Sequence, residues 1–464
     1  MGPIIGCTRF NSHPPPRTIT VSRMTVQSTP FKATGGMRQV VTLPKHSLWL
    51  FFIFIAPVLS DALYGLAQAF SIPLPFSPGI VLRSLIILSA APIVVGALLK
   101  MNNRPVIWLA ALVLSVIPSM FVSGVLGGDL VYDLSALSKS LYLPVITVLI
   151  LFLLKRYPMP ADDLLKAIEY SAYLYAFFLV VPGWLGLQVY TYGDFAYGSK
   201  GVFHAGNDAS VTLGVSLIAL GYRLIYVKFS ITRLLTLTFC VYALTEIGSR
   251  AALIFILGSV LAVVIGSLVL KPPTQLRGFG GAAKRVLSGT SVVFLLAGLV
   301  GYGLTVQLES EYQRNKLYEI ARGDVPRLAL TQTGLQYLSE RNTLLNFIGE
   351  GADKYERGVA RFWHGRVHRM TEVDWLDALG RYGLLFAILS HCFVIVALRK
   401  AFLATLVKRD VMAFTAGSGL FLFLAHSVTA GHALYSPAPA AIAGAYLALI
   451  VFPKPPPRQN MSAA

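Results

Sequence analysis

The sequence predicts an all-α polytopic membrane protein with about twelve transmembrane helices, and two observations lead to this fold class. Of the 464 residues, 55% are hydrophobic and only 13% are charged, whereas a soluble domain carries about 25% charged residues. Apolar runs long enough to cross a bilayer, about 17–25 residues each, recur along most of the chain. This composition excludes a water-soluble enzyme of ordinary design and also excludes general disorder, which requires low hydrophobicity.

The apolar runs divide the chain into five predicted regions. These are a disordered basic cytoplasmic tail (1–47), transmembrane helices 1–9 (48–307), one large outer loop (308–375), transmembrane helices 10–12 (376–452) and a cytoplasmic tail (453–464). The twelve predicted spans are 48–69, 79–99, 105–125, 139–155, 167–188, 207–227, 231–247, 250–270, 288–307, 376–398, 410–429 and 432–452.

The distribution of charge orients these spans. The net charge is +18, which in a soluble protein would suggest a nucleic-acid partner. With the N-terminus inside, the cytoplasmic segments hold 24 Lys and Arg against three Asp, whereas the outer loop holds ten basic and ten acidic residues. Because Lys and Arg are enriched on the cytoplasmic side, we expect both termini in the cytoplasm and no nucleic-acid partner.

Charged side chains at membrane depth are costly, so each one is a functional hypothesis. For Asp61, and for Glu169 near the inner face, we expect either an interhelical ion pair or a side chain that snorkels from the end of its span. Other polar residues converge on the predicted outer face. They are Arg83 near the end of the second span, Asn207 and Asp208 at the start of the sixth, Arg250 between the seventh and eighth, and His432 between the last two.

The outer loop is rich in arginine, with eight Arg and two Lys. A guanidinium fork matches phosphate oxygens in a way that lysine does not, and simple attraction to lipid would use lysine as readily. The pattern predicts capture of a phosphorylated lipid at the outer membrane–water boundary, with ordinary ion pairing in the loop as the alternative. The loop candidates are Arg327, Arg361, Arg366 and His368.

Three segments together resemble those of the O-antigen ligase/polymerase superfamily of bacterial envelope glycan assembly. Residues 201–208 read GVFHAGND and are similar to a G-x-F-x-x-x-N segment ahead of a span. Residues 245–250 read TEIGSR and resemble a T-x-S-R turn with one extra residue. Residues 372–383 read EVDWLDALGRYG and resemble the segment that leads from the large periplasmic loop into the next span.

The third segment departs from the pattern of the family's ligases, which carry His-Asn ahead of a glycine. Aligned on Gly383, this chain has Glu372 and Val373 in their place; aligned on Gly380, it has Arg369 at the histidine position. The first alignment also matches the family's apolar positions. The E-x-D start resembles the exopolysaccharide and capsule branch, so the resemblance implies a Wzy-type polysaccharide polymerase.

The resemblance implies a GT-C-like fold and a metal-independent glycosyl transfer, without a cofactor, at the periplasmic face of the bacterial inner membrane. The donor would be a glycan on undecaprenyl pyrophosphate and the acceptor another lipid-linked repeat. Inner-membrane lipid and a chain-length regulator are the other expected partners. Fixed cations would stabilise the charge on the leaving pyrophosphate, and a base would accept the proton of the acceptor hydroxyl.

We expect Arg250 and Arg327 to supply the cations, with Arg361 and Arg366 as further candidates. Glu372 is the predicted base, with a helix N-terminal charge favoured by the helix dipole as the alternative. His368 is the alternative base, or it would orient Glu372 by sharing its face if the segment is helical. Further predicted substrate-binding residues are Asn207, Asp208, Asp374, His432 and Arg83. Asp374 also fits a charge favoured by a helix N-terminus, and His432 also fits an interfacial polar residue.

Two other functions stay open at this point. One is an O-antigen ligase that transfers glycan to lipid A-core, and the other is a lipid-linked oligosaccharide flippase or transporter. A flippase should distribute polar residues along a pathway through the bilayer. Here they are predicted to gather at one face beside one loop, which favours an enzyme acting at a membrane boundary.

Overall fold

Within the residues that it describes, the computed structural model consists of α-helices and one small β-hairpin. It describes residues 45–74, 77–99, 104–157, 159–192, 197–203, 206–227, 229–270, 298, 301–303, 305, 309–322, 326–363, 367–429, 431 and 433–452. The predicted terminal tails (1–47 and 453–464) lie almost wholly outside these residues, as does most of the predicted span 288–307.

Most predicted spans coincide with a helix. The helices before the loop are α1 (Lys45–Leu50), α2 (Ala56–Ala69), α3 (Pro78–Leu99), α4 (Arg104–Val125), α5 (Leu130–Ser140), α6 (Tyr142–Arg156), α7 (Ala161–Trp184), α8 (Gly206–Tyr222), α9 (Ile231–Glu246) and α10 (Arg250–Val269). Short π-helical segments, Phe51–Ile55 and Arg223–Val227, join α1 to α2 and extend α8. The hairpin consists of β1 (Tyr190–Tyr192) and β2 (Tyr197–Ser199), which pair antiparallel.

The helices of the predicted loop are α11 (Glu311–Ala321), α12 (Pro326–Glu340), α13 (Thr343–Ile348) and α14 (Ala352–Phe362). We call these four helices the loop layer. They are followed by α15 (Asp374–Lys408), α16 (Val411–Thr429) and α17 (Pro437–Val451).

The predicted all-α membrane fold agrees with the structure, whereas the number of spans, twelve, stays a prediction. Within the described residues, eight helices are long and apolar enough to cross a membrane, and α5 with α6 forms a ninth candidate bent by 45°. The predicted span 139–155 therefore corresponds to the second part of a broken element. Two other predicted spans correspond to shorter helices, α9 with 16 residues and α17 with 15.

The predicted span 376–398 is longer in the structure because α15 continues to Lys408 and contains 35 residues. The helix is interrupted at Gly383, where φ is +88°, a conformation that is readily available only to glycine. The residues before the break pack against the loop layer through α13 and α14.

The core lies where α17 packs against α6, α8 and α16. Almost every residue of α17 is buried, and its sequence is rich in alanine and apolar all round. Such a helix belongs in the interior of a bundle, and small side chains allow neighbouring membrane helices to approach closely.

A second buried feature lies at the other end of the bundle from the hairpin, where α7 meets the π-helical extension of α8. Arg223 is only 1% exposed and forms ion pairs with Glu169 and with Asp162, the latter at 3.0 Å. Arg233 contributes a third contact, 3.7 Å from Glu169. The expectation that Glu169 forms an interhelical ion pair is confirmed.

Candidate active site

Glu372 lies at the junction between the loop layer and α15, with its side chain between two arginines. Arg369 Nη2 is 3.0 Å from Oε1 of Glu372, and Arg327 Nε is 3.8 Å from Oε2. The side chain of Glu372 is 21% exposed and that of Arg327 is 43% exposed, so a ligand can reach both. We call Arg327, Arg369 and Glu372 the Glu372 cluster; it brings the predicted base next to one of the predicted cations.

The backbone of Glu372 is in an uncommon conformation. Its φ is +59°, and a non-glycine residue held in the left-handed region costs about 1–3 kcal/mol, which is most often seen at functional sites. Gly431 packs directly against it, because a Cβ at Gly431 would lie 2.3 Å from the Glu372 carbonyl oxygen. The loop between α16 and α17 therefore forms one wall beside the predicted base.

Asp374 secures that same loop. Its Oδ2 accepts hydrogen bonds from the backbone N–H groups of Ala433 at 3.1 Å and Leu434 at 2.8 Å, and the residue is 1% exposed. These contacts make Asp374 a brace for the wall beside Glu372. Its predicted contact with substrate stays a prediction.

His368 contacts Asp353, and the helix face that it would have shared with Glu372 does not form. Residues 367–373 are not helical, so a spacing of four residues does not place the two side chains together. The Nε2 atom of His368 is 2.8 Å from Oδ1 of Asp353, and its ring stacks on Tyr132 with centroids 4.4 Å apart.

The pKa of Asp353 reflects these contacts. Burial alone would raise it, but hydrogen bonds from His368 and from the Asp129 N–H, together with the charge of Arg357, outweigh burial and hold the pKa below its usual range. The carboxylate is therefore ionised at neutral pH and fixes the position of His368.

Five polar residues fasten α14 to α5 and α15, and we call them the docking network: Tyr132, Asp133, Asp353, Glu356 and Arg381. Asp133 accepts a hydrogen bond from the backbone N–H of Asp353 at 2.8 Å. Glu356 accepts one from the Tyr132 hydroxyl at 2.6 Å and pairs with Arg381 at 2.9 Å. The four charged members are at most 3% exposed. The ion pair between Glu356 and Arg381 and the hydrogen bonds to Asp133 and Asp353 offset the large cost of burying these charges.

The docking network was not predicted from the sequence. Its only local signal is the occurrence of acidic residues three or four apart, at 129 and 133 and at 353 and 356. Solvated helix surfaces carry the same spacing. What identifies the network is contact between residues 220 or more positions apart in the chain, which a pattern in one segment does not reveal.

Arg250 is the first residue of α10, in the turn predicted to carry a fixed cation. Ser249 caps the helix by accepting from the Ala252 N–H at 3.2 Å, and its Oγ is 3.2 Å from Oγ of Ser210 in α8. The Nη2 atom of Arg250 is buried and has no hydrogen-bond partner among the described residues. An arginine with a spare donor at a helix N-terminus is suited to binding an anion.

The contact between the two serines joins the 245–250 turn to the beginning of α8. Asn207 and Asp208 lie there, half-buried in the first helical turn. Two of the segments that carry the family resemblance are therefore neighbours in the structure, as a shared site requires.

Arg83 belongs to a third charged group. Its Nη1 atom is 3.9 Å from Oδ1 of Asp61, which confirms the interhelical pair expected for Asp61. Asp208 is close enough to Asp61 for their charges to interact, and Lys139 interacts electrostatically with both Arg83 and Asp208. Lys139 was not predicted as a functional residue, because nothing in the sequence around it distinguishes it from other lysines on helices.

The remaining predicted residues are outside these groups. Arg361 lies exposed in the last turn of α14. Arg366 and His432 lie outside the described residues, so their predicted roles stay predictions.

Together these contacts supply two kinds of chemistry. The Glu372 cluster places a carboxylate that can accept a proton beside two partly exposed guanidinium groups. The Arg250 turn offers a donor at the start of a helix for an anionic oxygen. Within the described residues, no three His, Cys, Asp or Glu side chains are grouped so as to hold a metal ion.

Comparison with known proteins identifies the family. A family model described as O-antigen ligase like membrane protein matches residues 44–316, which is more than half of the chain. The match includes Arg83, Asn207, Asp208 and Arg250, and it ends before the Glu372 cluster. No curated protein matches the chain significantly. The matched region and the many membrane-spanning helices lead to one conclusion: the chain belongs to the family of O-antigen ligase like membrane proteins.

Proposed function

We propose that this protein polymerises oligosaccharide repeats carried on undecaprenyl pyrophosphate, at the periplasmic face of the bacterial inner membrane. The observation that carries the proposal is Glu372. It is a half-buried carboxylate with a left-handed backbone, held between Arg327 and Arg369. In the alignment on Gly383, Glu372 stands where the ligases of the family carry the histidine of their His-Asn pair.

In the proposed reaction, the hydroxyl oxygen of the acceptor sugar forms a bond to the anomeric carbon of the donor. The bond between that carbon and the pyrophosphate oxygen breaks, and the lipid pyrophosphate leaves with the electron pair. Glu372 takes the proton of the hydroxyl. Arg250 and Arg327 bind the pyrophosphate as its charge develops, and no metal ion takes part.

The reaction that the family performs can be either polymerisation or ligation to lipid A-core, and the products of a deletion strain separate the two. Loss of a polymerase leaves single repeats on the lipid carrier. Loss of a ligase leaves long lipid-linked polymer. We expect single repeats to accumulate; long polymer on the carrier would assign the chain to ligation instead.

Complementation of that strain tests the site. We expect Arg250→Ala to lower polymer formation about 10²–10³-fold at equal expression, as removal of one preorganised donor to a developing anion does. Arg314→Ala, which removes an exposed arginine of α11, is the matched control and should leave polymer formation unchanged. If the Arg250 variant formed as much polymer as the wild type, Arg250 would not be the residue that binds the leaving pyrophosphate. In purified protein, unchanged activity in EDTA is expected from metal independence.

A further inference from the structure

A cavity of about 190 Å³ lies beside the Arg250 turn. Its walls come from the β-hairpin and the residues just before it, from the end of α9, and from the short described segment 301–303. The lining residues are Gln188, Tyr190, Tyr197, Gly198, Ser199, Thr245, Glu246, Gly248, Tyr302 and Gly303. Thr245, Glu246 and Gly248 belong to the 245–250 segment that carries the family resemblance; the other lining residues lie outside the three segments of that resemblance.

The walls are held in place by close backbone contacts. Gly198 has φ +66°, and a Cβ there would lie 2.4 Å from the carbonyl oxygen of Ile247, so the hairpin packs directly on the α9–α10 turn. Gln313 of α11 donates from Nε2 to the Gly248 carbonyl oxygen at 3.0 Å. The cavity is thus fastened from the hairpin on one side and from the loop layer on another.

The chemistry of the lining fits a sugar ring. Tyr190, Tyr197 and Tyr302 are among the lining residues. A tyrosine ring combines an apolar body, suited to the apolar C–H side of a pyranose, with a polar end. Gln188 and Glu246 offer an amide and a carboxylate for sugar hydroxyls. The volume is below the roughly 300–1,000 Å³ of pockets for drug-sized ligands, which suits one monosaccharide and not a longer glycan segment.

The charge of the lining residues restricts which sugars can bind. Among the described residues that line the cavity, Glu246 is the one charged side chain; the set holds no Lys, Arg or His. A uronic acid or a phosphate-substituted sugar would place a second negative charge beside this carboxylate. The lining therefore disfavours an anionic sugar, and a neutral sugar is the ligand that we consider.

The position of the cavity connects it to the proposed reaction. Gly248 in its wall is two residues from Arg250, and the intervening Ser249 contacts Ser210 at the start of α8. A sugar in the cavity would lie next to the arginine proposed to bind pyrophosphate. We propose that this cavity binds one neutral sugar residue of the lipid-linked glycan and thereby selects which repeat the protein accepts; the identity of that glycan rests on the function proposed above.

Binding of small glycosides tests this site without requiring activity. The full-length protein in lipid nanodiscs is titrated with the methyl glycosides of glucose, galactose, N-acetylglucosamine and glucuronic acid, and binding is followed by saturation-transfer NMR. We expect at least one neutral glycoside to bind and the glucuronide to bind more weakly than it. Failure of every neutral glycoside, or preference for the glucuronide, would overturn the proposal.

Substitutions in the cavity wall test whether the glycoside binds in this cavity. Glu246→Gln and Tyr302→Ala should each weaken binding of the neutral glycoside about tenfold, as loss of a charge-assisted hydrogen bond or a stacking face does. Tyr302 is 52% exposed, so its removal should not unfold the protein. Tyr318→Ala removes a tyrosine of α11 that is 66% exposed and is the matched control. Equal binding by Tyr302→Ala, Glu246→Gln and wild type would place the sugar elsewhere.

The two proposals can fail separately. If the deletion strain accumulates long lipid-linked polymer while the cavity variants lose glycoside binding, the polymerase assignment is wrong and the sugar site stands. If single repeats accumulate while the cavity variants bind glycosides as wild type does, the polymerase assignment stands and the sugar site is wrong.

Discussion

The docking network and the Glu372 cluster are both groups of acidic and basic side chains near the beginning of α15, but they differ in burial and pairing. In the docking network the charged residues are at most 3% exposed and their contacts are 2.6–2.9 Å long. In the Glu372 cluster the side chains are 21–43% exposed, and one of the two ion pairs is 3.8 Å long. Removing one partner of a buried ion pair is strongly destabilising, so the buried pairs are suited to holding the structure together. In the function proposed above, the arginines of the open cluster exchange a carboxylate for a phosphate.

The largest effect is expected in the Glu372 cluster. Glu372→Gln removes the proposed base and should lower the rate of polymer formation about 10²–10⁴-fold, with the protein still folded. His368→Ala should cost much less if Glu372 is the base. Polymer yield and thermal unfolding are measured together for both variants, and Glu340→Gln on α12 is the matched control. Full activity of Glu372→Gln with loss in His368→Ala would move the role of base to His368.

A substitution in the docking network should lower the stability of the folded protein. Glu356→Ala leaves the buried guanidinium of Arg381 without its carboxylate, and breaking a buried pair from one side costs about 3–5 kcal/mol. We expect a lower unfolding temperature in detergent and faster proteolysis of the loop layer. A variant that lost activity at unchanged unfolding temperature would show that Glu356 acts in the reaction and would remove the contrast between the two groups.

A pH titration tests the structural role of Asp353 in the docking network, and we expect a smaller effect than that of Glu356→Ala. Because the pKa of Asp353 is lowered in the folded protein, its contribution to stability is complete above the ordinary value for aspartate, about 3.9. It is lost as the pH falls through the lowered value. We expect docking of α14, followed by the fluorescence of Trp363, to weaken only in that acidic range. In Asp353→Asn the acid-dependent change should shrink; an unchanged profile would contradict the assignment.

The smallest effect is expected at the edge of the docking network. Arg357 pairs with Asp353 at 2.8 Å, but its side chain is 46% exposed. Exposed ion pairs contribute up to about 1 kcal/mol, so Arg357→Ala should shift the unfolding temperature little compared with Glu356→Ala on the same helix. Equal shifts in the two variants would show that burial does not separate the strong pairs from the weak ones.

Several elements could be predicted well because their signals are local. A bilayer requires about 20 consecutive apolar residues per helix, so the sequence locates α3, α4, α10 and α16 to within one residue, whereas α7 begins six residues before the predicted span. The family resemblance is confirmed by the match over residues 44–316, a range that contains the segments 201–208 and 245–250. The interruption at Gly383 and the bend between α5 and α6 were missed, since apolar content does not distinguish a straight helix from a broken one.

The sequence by itself determined the membrane class, the approximate helices, the family and the residues that could carry charge chemistry, since each follows from composition or from a short motif. Only the tertiary structure decided which charges are paired: Arg327 with Glu372, His368 with Asp353, and Arg381 with Glu356. It also decided that the hairpin, α9 and segment 301–303 enclose a cavity. The physical reason is that electrostatic attraction and close packing depend on distance in space, and most of these partners are far apart along the chain.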